Sequence, residues 1–121
     1  MTEDIAMYII LNNDLQMNKG KLVSQGCHTV SQITRKLERL SISNPNNDIC
    51  VRYKKWIKNG EAKIILKGNT QQLEELLKLT ETEYVIDAGK TQIPENSLTA
   101  VGFYPNFKKN MSDILSNYKL L

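Results

Sequence analysis

Histidine and cysteine are scarce: the 121 residues include one His and two Cys. Cys27 and Cys50 are too few for a disulfide scaffold, and their spacing fits no metal motif. Cys27 and His28 adjoin each other but have no further soft ligands nearby, so no structural metal is expected. Long hydrophobic runs are also missing, and nothing approaches the roughly 20 apolar residues of a spanning helix. The opening Met1-Thr2-Glu3-Asp4 is acidic, where a secretory signal needs basic residues followed by an apolar stretch. These shortages favour a cytoplasmic protein without a membrane partner. With 40% hydrophobic residues, the chain still has enough apolar material for one continuous core, and residues 1–121 are expected to form a single domain.

The formal charge of +3 is modest, but its distribution is uneven. Residues 1–60 hold nine Lys or Arg against five Asp or Glu, whereas residues 61–90 hold four against six. A basic first half suits a polyanion such as RNA, and equally suits a plain solvated surface. Charge alone does not choose between them.

Residues 5–11, Ile-Ala-Met-Tyr-Ile-Ile-Leu, read as a strand buried on both faces. From Gly20 to Leu40 the period becomes helical, with Val23, Gly26, Val30, Ile33, Leu37 and Leu40 as the apolar stripe. A second helix is predicted over Asp48 to Lys58, with Ile49, Tyr53, Trp56 and Ile57 inward and Asn59-Gly60 as its stop. Ala62 to Leu66 reads as a strand, followed by a helix capped at Asn69 or Thr70 with Leu73, Leu76 and Leu77 inside. Tyr84 to Ile86 and Leu98 to Phe103 complete four strands. A last helix places Phe107, Met111, Ile114, Leu115 and Tyr118 on one side. Strands alternating with helices predict an α/β/α sandwich around a four-stranded, mixed but mostly parallel sheet.

Two places carry chemistry. At about 100° per residue, Lys21, Gln25 and His28 fall within roughly 60° of one another, opposite the apolar stripe. Lys21 occupies a first helical turn, where a cation costs about 0.3–1 kcal/mol against the helix dipole. It is either a solvated lysine or one held for a carboxylate or an anion. The second place, Asp87-Ala88-Gly89-Lys90-Thr91-Gln92, follows a buried strand. Ligands gather beyond the carboxyl ends of strands, although Asp-x-Gly also makes ordinary turns. Both places lie at strand ends, so one sheet edge can unite them. No Ser-His-Asp arrangement is visible, and neither cysteine is placed like an activated nucleophile.

The same residues carry a resemblance. Asn13 to Lys21, with Gln25 and His28 behind it, resembles the N-terminal signature of the archaeal and eukaryotic-type peptidyl-tRNA hydrolase family (peptidyl-tRNA hydrolase 2). Asp87 to Gln92, Leu98 to Gly102 and terminal Lys119-Leu120-Leu121 are similar to its second half. The resemblance implies cofactor-free hydrolysis of the ester joining peptide to tRNA, with tRNA rather than DNA as partner and a possible homodimer. It matches Lys21 and Asp87 to the essential lysine and aspartate, and Thr91 and Thr99 to hydroxyls of the same site. Gln25 and His28 match substrate-side positions, as do Lys19, Lys90 and Gln92 around the two motifs. Arg35, Arg39, Lys108 and Lys109 are further candidates for tRNA phosphates.

The chain departs from the family pattern at Asn18, at Val23-Ser24, in Ile93-Pro94-Glu95-Asn96 and in Gly102-Phe103-Tyr104-Pro105. The last adds two rings. Phe103 reads as core, and Tyr104 as a surface on which the terminal adenine stacks. A non-catalytic RNA-binding module and a protein-interaction adaptor are the competing readings. Dependence of turnover on Asp87 separates the enzyme from both.

Overall fold

The computed structural model describes residues 4–87, 93–94 and 96–121. The elements run β1 (Ile5–Asn12), a short 3-10 turn (Asn13–Leu15), α1 (Lys19–Ser43), α2 (Asp48–Lys58), β2 (Lys63–Gly68), α3 (Thr70–Leu76) and β3 (Thr82–Ile86), then β4 (Leu98–Phe103), β5 (Asn106–Phe107), α4 (Lys108–Met111) and β6 (Lys119–Leu120). Helices pack on both faces of one sheet, so the α/β class expected from the sequence is the class observed.

The strand order is β3-β4-β1-β2-β6, with β5 pairing the start of β1 in a six-stranded sheet. Two corrections follow. The four expected strands are joined by β5 and β6, two-residue strands too short to show a period. The sheet is also mostly antiparallel between neighbours, because only β1 and β2 pair in parallel. The physical reason lies between β3 and β4. A parallel partner needs a crossover of a dozen or more residues, usually helical. Here Ser97 comes only ten positions after Asp87, and Asp87 N–H already donates to Ser97 O at 2.9 Å, so β4 runs back beside β3. β4 then runs opposite to both β3 and β1, which leaves β1, β2 and β3 pointing the same way. Their carboxyl ends therefore share one sheet edge.

All eight residues of β1 are buried, as a central strand covered on both faces must be. Ile5, Met7, Ile9 and Leu11 face a core with Ile33 and Leu37 of α1 and Tyr53 and Trp56 of α2. Ala6, Tyr8 and Ile10 face the other side with Leu73, Leu76, Met111 and Leu115. α1 sits close against β4, and Gly102 is why it can. A Cβ on Gly102 would lie 2.4 Å from Thr29 Cγ2 and 2.8 Å from Ile33 Cδ1.

The α1 stripe differs from the expected one at its start. Val23 is 66% exposed, while Gln25 and Thr29 are buried together with Ile33 and Leu37. The inward line is thus Lys21, Gln25, Thr29, Ile33, Leu37, at a spacing of four. Its polar half covers the sheet edge and its apolar half covers the core. In α2, buried Cys50 and Arg52 accompany Tyr53 and Trp56, and Ile57 turns outward. The expected last helix is a single turn, α4, followed by looser turns to β6.

Candidate active site

The site is built where α1 begins and β3 ends. Asn18 caps α1, its Oδ1 accepting from Lys21 N–H at 2.9 Å. An Asn cap stabilises a helix start by roughly 1 kcal/mol relative to Ala, so this departure from the family pattern reinforces the turn carrying Lys21. Across the sheet edge, Asp87 is held by its backbone from both sides of the loop: it donates to Ser97 O, and its own O accepts from Asn96 N–H, each at 2.9 Å.

Lys21 Nζ then reaches Asp87 Oδ1 at 2.5 Å, with side-chain exposures of 10% and 8%. The two singled-out residues, distant in sequence, form one buried ion pair. Removing a single partner from such a pair leaves an uncompensated charge in a poorly hydrated place, a far larger penalty than losing a surface bridge. A carboxylate accepts hydrogen bonds at both oxygens, so holding Lys21 is compatible with holding a water.

Gln25, one helical turn on, is fixed by Thr99. The fully buried Thr99 hydroxyl donates to Gln25 Oε1 at 2.6 Å; Val85 O lies farther off, at 3.2 Å. Thr29 repeats the device, donating to Gln25 O at 2.8 Å. With Oε1 occupied, the amide nitrogen is what Gln25 has left to offer. It makes no hydrogen bond among the described residues. Thr99 thus holds the Gln25 side chain and has no surface of its own.

Asn12 was not singled out from the sequence, yet it ties the edge together. It is 1% exposed and donates to Thr70 Oγ1 at 2.9 Å and Leu98 O at 2.8 Å, and it accepts from Asp14 N–H at 2.9 Å. This locks the end of β1 and the start of α3 to the start of β4. Its place at the end of an apolar run was the only available signal.

The other expected residues divide. Lys19 and His28 are exposed on α1. Lys90, Thr91 and Gln92 lie outside the described residues. Tyr104, expected as a stacking surface, is not brought to Lys21 and Asp87. It is 7% exposed, its hydroxyl donates to Glu83 Oε2 at 2.7 Å, and its N–H donates to Glu81 O beside the start of β3. Asp87 follows the other end of that strand, roughly 17 Å away at about 3.3 Å per residue. Arg35 and Arg39 are about 21 and 27 Å along α1 from Lys21 at 1.5 Å rise. Lys108 donates its backbone N–H to Asp4 O, at the opposite sheet edge, and Lys109 adjoins it. Among the described residues no three His, Cys, Asp or Glu gather closely enough to hold a metal ion. Among the described residues no helix is long and apolar enough to cross a membrane.

Comparison with known proteins places this geometry. The family model described as Peptidyl-tRNA hydrolase PTH2 matches residues 5–121. A peptidyl-tRNA hydrolase of Methanococcus vannielii is 36% identical, the match covering 93% of this chain and 96% of the relative. Those of Saccharolobus islandicus and Methanocaldococcus jannaschii are 31% and 30% identical, over 97% and 95% of this chain and 99% and 98% of theirs. The chain belongs to the PTH2 family of peptidyl-tRNA hydrolases.

Proposed function

We propose that this protein hydrolyses the ester joining a peptide to the terminal ribose of tRNA, and that Lys21 and Asp87 carry the reaction. Family membership supports the substrate, and the buried 2.5 Å ion pair at the sheet edge is the observation that supports the residues. Asp87 orients a water and takes its proton as the water attacks the carbonyl, a general-base contribution of typically 10²–10⁴-fold. The negative charge that develops on the carbonyl oxygen is met by Lys21 and by the Gln25 amide nitrogen. Their poor hydration strengthens that interaction. Thr99 keeps Gln25 in the orientation this requires. Thr91 belongs to the same site by the family resemblance, with Lys90 and Gln92 on the substrate side. Lys19 and His28, exposed on α1, are assigned to the substrate side by the same resemblance.

The same reading makes the chain a single-domain cytoplasmic enzyme that recycles tRNA from stalled translation. A homodimer is part of it. The face such a dimer would cover is the apolar groove of about 800 Å³ between α1 and the β1–β2 sheet surface, where Val23, Leu120 and Leu121 are exposed.

The test is peptide release from N-acetyl-aminoacyl-tRNA by the wild type, Asp87→Ala and Lys21→Ala at matched fold content. Chelator-resistant cleavage by the wild type, lost in both variants, is expected. Absence of cleavage by every form, with tRNA still bound, would leave an RNA-binding module instead.

A further inference from the structure

The sheet edge that carries Asp87 continues past β1 to β2 and β6, where there is a second polar hollow of about 370 Å³. Its lining includes Lys67, Lys119, Asn69, Gln72, Asn13 and Asp14. Lys67 and Lys119 stand directly opposite each other in the antiparallel β2–β6 pair. Like charges in that relation destabilise a sheet. β6 has only two residues, so one of its two pairings is given over to repulsion. Neither lysine forms an ion pair among the described residues.

The neighbouring amides are turned in a particular way. Asn69 Oδ1 accepts from Gln72 N–H at 2.8 Å, and Gln72 Oε1 accepts from Asn69 N–H at 2.9 Å. Both side-chain oxygens are thereby committed to the backbone, and what remains of each amide is its NH₂ donor. Asp14 is the carboxylate at this hollow. Its Oδ2 accepts from Thr70 N–H at 2.8 Å, and two ammonium groups outweigh its single charge. A hollow edged by cations and amide donors fits an oxyanion.

Its position selects which one. β2 is three strands from β3 in the sheet order, roughly 14 Å along the edge at 4.8 Å per strand. Both lie at the same end of the sheet, unlike Arg35, Arg39, Lys108 and Lys109. We infer that Lys67 and Lys119, with the Asn69 and Gln72 amides, form a phosphodiester subsite. It holds the single-stranded RNA backbone of the substrate a few nucleotides from the ester. The inference rests on the hydrolase reading and extends it to how the nucleic acid is laid along the sheet edge.

Two substrates separate this subsite from the chemistry: N-acetyl-aminoacyl-tRNA, and N-acetyl-aminoacyl-adenosine, which has no phosphate. Lys67→Gln/Lys119→Gln should raise KM for the tRNA substrate roughly three- to tenfold with kcat within about twofold. The slope of log kcat/KM against log salt should become shallower by about 1.4, at about 0.7 per single-strand phosphate contact. Cleavage of the adenosine ester should not change, and Lys67→Arg/Lys119→Arg should keep the wild-type values. Thermal stability should not fall, since a repulsive pair is removed. An unchanged tRNA KM and salt slope would overturn the subsite, as would equal losses on both substrates. Should the wild type cleave neither substrate, the hydrolase reading fails on its own. The subsite then stands or falls on whether the double Gln variant flattens the salt dependence of uncharged-tRNA binding.

Discussion

α1 is tied to β3 by two ion pairs of the same chemical kind, one at each end of the strand. Lys21–Asp87 is 2.5 Å long with exposures of 10% and 8%; Lys36–Glu83 is 3.0 Å long with exposures of 57% and 20%. Around Glu83 the protein closes on itself, because Tyr104 donates to the same Oε2 and Lys36 lies 6.0 Å from the Tyr104 ring. The hydrogen bond to Glu83 raises the Lys36 pKa first among its causes, and burial does the same for Tyr104. Around Asp87, by contrast, Gln25 keeps an amide nitrogen that the described residues leave unused. Residue type does not distinguish the bridge that closes this part of the fold from the one proposed to carry the reaction. Burial does, together with what the surroundings leave on offer.

The largest effect should come from exchanging the two carboxylates for amides. Asp87→Asn should lower peptidyl-tRNA cleavage by about 10²–10⁴-fold, the range of a lost general base. Glu83→Gln should leave cleavage within about twofold and cost at most about 1 kcal/mol, as exposed bridges do. Steady-state kinetics and urea unfolding of the two variants would decide this. Comparable activity losses would abolish the distinction between the strand's two ends.

Next in size is the contact that sets α1 down on the sheet. Gly102→Ala puts a methyl 2.4 Å from Thr29 Cγ2, and overpacking of this kind costs about 1–3 kcal/mol. Because Thr29 lies between Gln25 and Ile33 on the inward line, the displaced helix should also weaken cleavage. Thr29→Ser removes the obstructing methyl and keeps the hydroxyl on Gln25 O. It should restore part of both stability and activity when combined with Gly102→Ala, and a failure of that rescue would refute the steric account.

Alkaline titration should reveal the closed end of the comparison. Burial is the largest cause in each case and raises the pKa of Tyr8, Tyr53, Tyr104 and Tyr118 above the usual 10.0. Above pH 10 the unfolded chain loses these protons while the folded chain keeps them, so unfolding is favoured as pH rises. The raised Lys36 pKa acts in the same direction. Stability from these groups is complete below pH 10 and lost above it. Tyr53→Phe, which removes the hydroxyl donated to Glu38 at 2.8 Å, should flatten that decline. An unchanged slope in the variant would contradict the burial argument.

How far the sequence could be read follows from the same contrast. The apolar run of β1 and the span of α2 were legible because burial on a face writes itself as periodicity. The meeting of Lys21 and Asp87 was legible from strand ends alone. That inference survived the reversal of β4, since β1 and β3 still point the same way. The inner face of early α1 was not legible. Periodicity assigns Val23 inward, whereas Gln25 and Thr29 go inside because each finds a hydrogen-bond partner there. The burial of Tyr104 was not legible for a related reason: its partner Glu83 is adjacent only through the β3–β4 pairing. Lys67 and Lys119 likewise become neighbours only once a two-residue strand closes the sheet.

The smallest expected effect concerns the family departure nearest the site. Asn18→Gly removes the side chain that accepts from Lys21 N–H, but Gly is itself a tolerable cap, so the cost should be a few tenths of a kcal/mol. Asn18→Ala, which lacks both the acceptor and glycine's freedom, should cost about 1 kcal/mol. If the cap serves only the helix, both variants should shift the unfolding midpoint while Lys21 still reaches Asp87 and kcat holds. A fall in kcat out of proportion to stability would instead mean that the first turn of α1 aims the lysine. The open end of the α1–β3 contact would then depend on local order that its closed end does not need.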